Sequence, residues 1–394
     1  MRCRITKEKC KIFLDLGKMP LANGFLKPKN FNNEYFFRLQ VAFSKSLNLV
    51  QLVSNPKPKN MFNKNYPFYT SSSKHMMQHF KSYANWIKKK FINKNGSILE
   101  LGSNDGTFLS NFKNYKSMGF EPSKSVHSVA ISNNILSINK FFNNNNIKTL
   151  IKNKIKFDAI VGSNVICHIP DQNDLILSIN KLLNKNGTII FEEPYLGAMY
   201  KKTSYDQIYD EHIFMFSASS VEKIWSLHGY MLVDALPQKT HGGSMRYVLK
   251  QQGITKKSKR LIAILKKEKK FNLSNFRGCL DFKKNVENSR KKLINKINKI
   301  LEKKQKICGY GATSKSTTIL NYCKLNTKHI DCIFDTTPDK INKFSPGMHI
   351  PIKSYKFFKK SKYKNVFLFA WNHKKEIMNK EKSKKNLNWF NHLV

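Results

Sequence analysis

Acidic residues are scarce in this chain: 25 Asp and Glu stand against 71 Lys and Arg in 394 residues, a formal net charge of +46. A charge of this sign ordinarily indicates nucleic acid or an anionic membrane as a partner. Arginine is scarce as well, however, with only seven in the chain. Specific readers of phosphates and bases rely on the planar guanidinium. Because Lys, Asn and Ile are abundant together, we interpret the charge as base-composition drift at solvated positions and expect no nucleic-acid partner.

Long apolar runs are also missing. No stretch reaches the roughly 18 apolar residues that a membrane-spanning helix needs, and "MRCRITKEKCKIFLDLG" lacks the continuous apolar segment of a secretory signal. The seven cysteines are odd in number, and their spacing follows no disulfide framework. We therefore expect reduced thiols in a cytoplasmic protein with no membrane partner. With 40% hydrophobic residues, the chain can form two or three domains.

Short apolar segments alternate with helical patterns in two parts of the chain, from about residue 75 to 250 and again from about 307. Strands that alternate with helices predict a parallel, doubly wound sheet, which is an α/β fold. Ligands of such sheets bind at the carboxyl ends of the strands. Between the two parts, residues 255–306 carry Leu and Ile at three- and four-residue steps, typical of helices with one buried face.

The first of these carboxyl ends carries the turn "ELGSNDG". It lacks the GKS or GKT ending of a Walker loop and does not fit GxGxxG. Such a turn lets an adenosyl ligand lie against the backbone, and Glu121, after the next strand, can bind both ribose hydroxyls. Since no phosphate grip is present, the turn favours S-adenosylmethionine over a dinucleotide; the alternative is a turn that only closes a strand–helix connection. The predicted cofactor residues are Glu100, Gly102, Asn104, Asp105, Gly106, Glu121 and, at a further strand end, Ser163.

Acids, phenols and a histidine gather in "YDQIYDEHIFMFS", residues 205–217. His212 is the natural general base, because its ordinary pKa lies near neutrality. Glu211 or Asp210 could orient it or support its cationic form, and Tyr209 could donate to a developing oxyanion. The alternative, a polar loop with ordinary hydrogen bonds, is equally compatible with the spacing. A second histidine at a strand end, His168, favours chemistry.

Two further glycine turns carry basic side chains. "HGGSMR" contains His241 and Arg246, and it reads equally well as a hairpin-like turn or as part of a site. "GYGATSKS" opens a helix and contains Lys315 and Ser316, so its backbone amides and these side chains predict an anion site suited to a diphosphate. The alternative is a tight strand–helix turn with an exposed lysine.

Ten stretches of the chain look familiar together and in order. The chain resembles the S-adenosylmethionine-dependent sugar C-methyltransferases, which act on nucleotide-linked ketosugars, over almost its whole length. The stretches that carry the resemblance are "LDLGKMPLANGF", "YPFYTSSSKHMMQHF", "ILELGSNDGTFL", "SNVICHIPD", "YDEH", "HGGSMR", "GYGATSKS", "DTTPDK", "PGMHIPI" and "AWNHKKEI".

The resemblance implies a class I methyltransferase Rossmann-like domain followed by a second Rossmann-like domain, with a small N-terminal module. The domains would be 1–60, the module; 61–254, the methyltransferase domain; 255–306, a helical connector; and 307–394, a nucleotide-sugar-binding domain. It also implies catalytic roles for His212, Tyr209, Glu211 and His168. The implied substrate-binding residues are Tyr66, Tyr69, Asn164, His241, Arg246, Lys315 and Ser316.

One departure from the family pattern concerns the zinc site of the N-terminal module. The family has two CxxC-like pairs there. In this chain Cys3 is present, but the position of its partner is occupied by Thr6, and the positions of the second pair are occupied by Ser44 and Leu47. A closed structural zinc site needs four thiolate or imidazole ligands, which Cys3 and Cys10 alone cannot supply. We therefore predict that this chain has lost the zinc.

The resemblance further implies methylation of C3 beside a C4 ketone, through an enolate, on a nucleotide-diphosphate sugar in deoxysugar or surface-polysaccharide biosynthesis. We expect a monomer. Two other functions remain open: an O- or N-methyltransferase acting on a related small anion, and a non-catalytic nucleotide-sugar-binding protein.

Overall fold

The N-terminal part of the chain forms an antiparallel sheet in the computed structural model, which describes residues 1–61, 68–253 and 255–393, without the side chains of 59 and 60. Its strands are β1 (Lys11–Pro20), β2 (Phe36–Ser44) and β3 (Leu49–Leu52). The free edge of β3 pairs with a short strand at Phe214–Met215, far along the chain. The N-terminal module and the central domain therefore share one sheet.

The central domain contains a seven-stranded sheet. Its strands are β4 (Ser97–Leu101), β5 (Lys116–Phe120), β6 (Ser137–Ile138), β7 (Phe157–Ser163), β8 (Leu183–Pro194), β10 (Tyr230–Gln238) and β11 (Ser244–Gln251). The label β9 is kept for the short strand Phe214–Met215 of the first sheet. The spatial order is β10-β11-β8-β7-β4-β5-β6. The pairs from β8 through β6 are parallel, while β11 is antiparallel to both neighbours. The chain leaves β4 in one direction toward β6 and later continues from β7 in the other, so the switch point lies between β4 and β7.

Helices cover both faces of this sheet because side chains alternate along its buried strands. Ile98 packs with α2 on one face, whereas Leu99 packs with α5 on the other. The helices up to this point are α1 (Pro58–Met61), α2 (Lys74–Lys90), α3 (Lys124–Ser132), α4 (Lys148–Lys152), α5 (Gln172–Leu182), α6 (Leu196–Lys202) and α7 (Ala218–Ser226).

Two long helices lead to a second parallel sheet. They are α8 (Lys259–Lys270) and α9 (Phe276–Glu302), and α9 buries Phe282, Val286, Leu293 and Ile297 at near-helical spacing. The strands beyond are β12 (Ile307–Tyr310), β13 (Ile333–Asp335), β14 (Ile352–Ser354), β15 (Asn365–Leu368) and β16 (Asn388–Phe390), in the order β14-β13-β12-β15-β16. Their helices are α10 (Ser314–Cys323), α11 (Tyr355–Lys360) and α12 (Lys374–Lys380).

The fold class predicted from the sequence is confirmed. Two doubly wound α/β units follow each other, and a small antiparallel module precedes them. Within the described residues, the search for a helix both long and apolar enough to span a membrane finds none.

Candidate functional site

A cavity of about 780 Å³ opens at the switch point of the central sheet. The central domain supplies most of its lining, the start of α10 supplies another part, and Asn23 of the N-terminal module also reaches it. Twelve residues predicted from the sequence line this cavity: Glu100, Gly102, Asn104, Glu121, Ser163, Asn164, His168, Tyr209, Glu211, His212, His241 and Lys315. The predicted cofactor-binding turn and the predicted base, His212, therefore line the same cavity.

The glycine turn after β4 approaches its neighbours closely enough to need its glycine. Gly102 has φ +65°, and a Cβ there would lie 2.8 Å from Val165 Cγ2. Asn104 faces the cavity, and its Oδ1 accepts hydrogen bonds from the Thr70 N–H and hydroxyl at 3.0 and 3.1 Å. A bare backbone remains beside the cavity, which is the surface that a flat adenosyl group requires.

Two buried carboxyls lie at this end of the cavity. Glu121 Oε2 accepts from the Asn104 N–H at 2.9 Å and Oε1 from the Ser123 N–H at 2.7 Å. Each oxygen keeps a second lone pair, so the carboxylate can still accept from ribose hydroxyls. Burial, reinforced by Asp105 and Glu121, raises the pKa of Glu100 well above its ordinary value. Glu100 Oε2 has no hydrogen-bond partner among the described residues, which is the condition expected of an atom that meets a ligand or water.

His212 has its tautomer fixed by its neighbours. Nδ1 lies 2.7 Å from the carbonyl oxygen of Gln207, which can only accept, so Nδ1 carries the proton. Nε2 is then the basic nitrogen, and the Tyr209 hydroxyl donates to it at 2.9 Å. Burial lowers the pKa of His212 to about 4, with Lys315 contributing. The imidazole is therefore neutral at neutral pH, and its Nε2 lone pair, which accepts from Tyr209 in this structure, can serve in general-base catalysis once that hydroxyl turns away.

The two carboxyls beside His212 face the N-terminal module instead. Asp210 Oδ1 accepts from the Ala22 N–H at 3.0 Å, and Glu211 Oε1 accepts from Asn23 Nδ2 at 2.7 Å. The hypothesis that one of them orients His212 is therefore wrong, since a backbone carbonyl does so. Burial raises the pKa of Asp210 above its ordinary value, and burial together with Asp210 raises that of Glu211.

This raised pair makes the stability of the fold depend on pH. A carboxyl whose pKa is raised by folding binds its proton more tightly in the native state than in the unfolded chain. Its contribution to stability is therefore lost as pH rises from the ordinary carboxyl pKa of about 4 through the raised value in the folded protein. We expect Asp210→Asn to raise the free energy of unfolding relative to wild type by about 1–3 kcal/mol near pH 8.5 and by almost nothing near pH 5. Urea unfolding at the two pH values measures this, and an equal offset at both would contradict it.

A second histidine stacks beside the first. The His168 and His212 rings lie 5.3 Å apart at 21°, and burial, with His212 and His241, lowers the pKa of His168 well below its ordinary value. Asn164 Nδ2 lies 3.1 Å from His241 Nε2, so the amide donates to this ring. Sequence positions 164, 168 and 241 thus converge on one wall.

Lys315 is a half-buried part of the same lining, and desolvation lowers its pKa while Asp206 opposes this. Ser316 does not reach the cavity: it is buried and its hydroxyl donates to the Thr313 carbonyl at 2.5 Å, within the first turn of α10. Lys340, which sequence reasoning missed, also lines the cavity.

Four other predicted residues lie outside the lining, for physical reasons visible in their contacts. Arg246 makes a buried ion pair with Glu192 at 2.9 Å and stacks on Tyr83, so it holds strands together. Asp105 Oδ2 accepts from the Ser71 N–H at 2.8 Å and fixes the turn. The other two are Gly106 and Tyr69. Tyr66 lies outside the described residues.

The thiols of Cys3 and Cys10 lie near each other, but among the described residues no further metal-ligating side chain completes a group of three with them. Burial, together with Cys3, raises the pKa of Cys10 to about 11, and Gln51 Nε2 lies 3.8 Å from Cys10 Sγ. Within the described part of the chain, the one group of three or more His, Cys or acidic residues close enough to hold a metal is in the central domain: Cys167, His168 and His212. Two thiols do not fit a tetrahedral zinc site.

Comparison with known families covers almost the whole chain. Residues 3–62 match the family described as a putative zinc binding domain, 73–235 a methyltransferase domain, and 239–390 a C-methyltransferase C-terminal domain.

Individual relatives are distant. C-methyltransferase NovU of Streptomyces niveus is 25% identical over 374 residues, which cover 94% of this chain and 89% of NovU. A solved S-adenosylmethionine-dependent methyltransferase of Clostridium acetobutylicum is 13% identical over 46% of this chain and 94% of its own, with a TM-score of 0.35. Magnesium protoporphyrin IX methyltransferase of Synechocystis PCC 6803, solved with its methyl donor, is 12% identical over 45% of this chain and 79% of its own, with a TM-score of 0.33.

Proposed function

The chain belongs to the S-adenosylmethionine-dependent C-methyltransferases, and we propose that its acceptor is a nucleotide-diphosphate-linked ketosugar, methylated at C3 beside a C4 ketone. One observation carries this proposal: the neutral, correctly protonated His212 faces the same cavity as the glycine turn for the cofactor. A base in that position suits removal of a proton from carbon, because a C–H beside a ketone is acidic through delocalisation of the carbanion as an enolate, and a neutral imidazole can accept the proton.

The residues of the cavity divide the work of that reaction. His212 Nε2 takes the proton from the carbon beside the ketone, and its Nδ1–H bond to Gln207 holds the ring in place. The negative charge that develops on the ketone oxygen needs a donor. His168 is one candidate, and Glu211, whose pKa is raised by burial and by Asp210, is another. Tyr209 can serve only when its single hydroxyl proton turns from His212 Nε2 to the ketone. When bound, the cofactor supplies an electrophilic methyl group on sulfur.

The cofactor would lie along the turn after β4. Gly102 and Asn104 would face its adenosyl group, Glu121 its ribose hydroxyls, and Ser163 the neighbouring strand end. This placement is supported by the close approach at Gly102 and by the unpaired oxygen of Glu100.

The C-terminal domain would hold the charged part of the substrate. Lys315 and Lys340 both line the cavity beside the N-terminus of α10, where backbone N–H groups point outward. A diphosphate fits two half-buried ammonium groups whose charge is otherwise costly, because desolvation lowers the pKa of each. Asn164 and His241 would contact the sugar between this end and the cofactor. The domain limits, the monomeric state and the cytoplasmic location stay predictions.

A single assay tests the proposal. Purified protein is incubated with labelled S-adenosylmethionine and a panel of nucleotide-linked 4-ketosugars in heavy water, and mass spectrometry follows methyl gain and deuterium uptake at C3. Methyl gain on carbon is the expected result. Deuterium uptake without methyl gain would retain the base but overturn the acceptor, methyl gain on oxygen or nitrogen would favour a heteroatom methyltransferase, and cofactor binding with neither signal would favour a binding protein.

We also propose that the N-terminal module is stable without zinc. Two buried thiols, with Ser44 and Leu47 where a second pair would stand, leave the metal short of ligands. We expect metal analysis of protein grown with added zinc to find well below one equivalent, and chelator to leave the unfolding midpoint unchanged. Zinc that is bound by wild type and lost in Cys3→Ser would contradict this, whereas zinc lost only in Cys167→Ala would lie in the cavity.

A further inference from the structure

The turn between β7 and α5 carries two of the cavity's polar side chains. Asn164 begins it in the left-handed region, at φ +54°, and His168 ends it. Between them, residues 166–168 form a single 3-10 turn. Such a short, irregular segment has few internal hydrogen bonds, so its shape depends on the acceptors that its remaining N–H groups contact.

A buried carboxylate from the neighbouring strand binds those groups. Glu193, near the end of β8, has no exposed surface, and its Oε1 accepts from the N–H of Val165 at 3.0 Å, Ile166 at 2.7 Å and Cys167 at 3.3 Å. The adjacent Glu192 points to the other face of the sheet, where it pairs with Arg246. The two successive acids therefore do different things, as the alternation of a strand requires.

We propose that Glu193 is a positioning residue, which fixes the backbone of residues 165–167 and so aims Asn164 and His168 at the sugar. This inference rests on the proposed function of the cavity. These three N–H groups have no acceptor within the turn, much like the first N–H groups of a helix. The single Glu193 oxygen accepts hydrogen bonds from all three. Because a misplacement of about 1 Å at a reacting group can cost roughly 10²-fold in rate, such an anchor has a kinetic effect.

The surroundings of Glu193 hold it between its two charge states. Burial raises its pKa to about 7, against the N–H donors and Cys167, which lower it. The other titratable groups that feel its charge are the phenols of Tyr83 on α2 and Tyr247 on β11. Both the protonated and the ionised carboxyl of Glu193 can accept hydrogen bonds through Oε1. The amide oxygen of Gln at this position can accept the same bonds, so Gln can substitute in part.

A second buried glutamate offers a matched control. Glu268 on α8 accepts from the N–H of Ala218 at 2.7 Å and of Ser219 at 2.9 Å, and it lies outside the cavity lining. It caps the start of α7 as Glu193 caps the turn. Loss of Glu268 therefore reports what a buried carboxylate cap contributes to stability alone.

The experiment compares Glu193→Ala, Glu193→Gln and Glu268→Ala. We expect Glu193→Ala to lower kcat by about 10–100-fold with little change in KM for the cofactor, and Glu193→Gln to recover part of that loss. Glu268→Ala should lower the unfolding midpoint and leave kcat per folded molecule unchanged. Equal kcat in Glu193→Ala and Glu268→Ala would overturn the positioning role.

Amide exchange provides a readout that does not need the reaction. In wild type, the N–H groups of residues 165–167 should exchange slowly, and in Glu193→Ala they should lose protection while α5 keeps it. Unchanged protection would overturn the anchoring itself. If wild type methylates none of the sugars, the proposed function fails, and the exchange result still decides whether Glu193 holds the turn. Should Glu193→Ala not fold, Glu193→Gln carries both measurements.

Discussion

Replacing His212 with Asn should lower kcat for methyl transfer to carbon by about 10²–10⁴-fold, the range that a general base supplies. The change is specific, because an Asn amide can still donate to the Gln207 carbonyl as Nδ1 does, while Nε2 disappears. Deuterium uptake at C3 should vanish with it, since the same nitrogen takes that proton. Single-turnover mass spectrometry measures the rate, and calorimetry should show an unchanged cofactor affinity.

A matched variant controls for the loss of an imidazole. His228 lies 3.0 Å from Asn173 outside the cavity lining, so His228→Asn should leave kcat unchanged. If His212→Asn retained the wild-type rate, the base would be another group and the proposed mechanism would fail. If the rate fell but deuterium uptake persisted, His212 would act after proton removal and not in it.

Gly242→Ala should have the largest effect on the fold. Gly242 has φ +85°, and a Cβ there would lie 2.2 Å from Trp371 Cη2. The indole has little room to yield, because its N–H donates to Asp206 at 2.5 Å. Backbone strain and overpacking together predict a loss of about 2–5 kcal/mol in the free energy of unfolding. His241, which lines the cavity, immediately precedes Gly242, so the KM for the substrate should rise as well. Urea unfolding and initial rates measure the two effects.

Gly229→Ala separates strain from collision. Its φ of +77° is similar, but a Cβ there meets nothing within 4 Å. It should therefore cost only about 1–2 kcal/mol and leave KM unchanged. Equal losses in the two variants would mean that Trp371 moves aside freely, and the contact would then have no part in joining the C-terminal domain to the turn at residue 242.

Sequence reasoning places residues in the cavity lining most readily where neighbours in sequence are neighbours in space. The turn after β4 and the stretch around His212 are of this kind. Ser316 and Arg246 were assigned to the substrate because a polar side chain near a glycine turn resembles a ligand contact. Their partners, a carbonyl within α10 and the carboxylate of Glu192, become visible only when the chain is folded.

Other features left little or no signal to find. Asn23 meets Glu211 across 188 positions, and only its place in the stretch "LANGF" hinted at a role. The partner of His212 Nδ1 is a backbone carbonyl, which every residue possesses, so no pattern of side chains could have indicated Gln207. Glu193 is next to an equally acidic neighbour, and only strand register distinguishes their tasks.

The strand at Phe214–Met215 begins two residues after His212 and lies along β3 of the N-terminal sheet. The backbone that follows the proposed base is thus held by a segment of chain more than 150 residues upstream. Cutting away residues 1–52 would leave that strand as a bare edge and withdraw Ala22 and Asn23 from the two acids. The methyltransferase domain is therefore not an independent unit. A chimaeric protein or a gene fusion that keeps its activity must also contain the N-terminal segment.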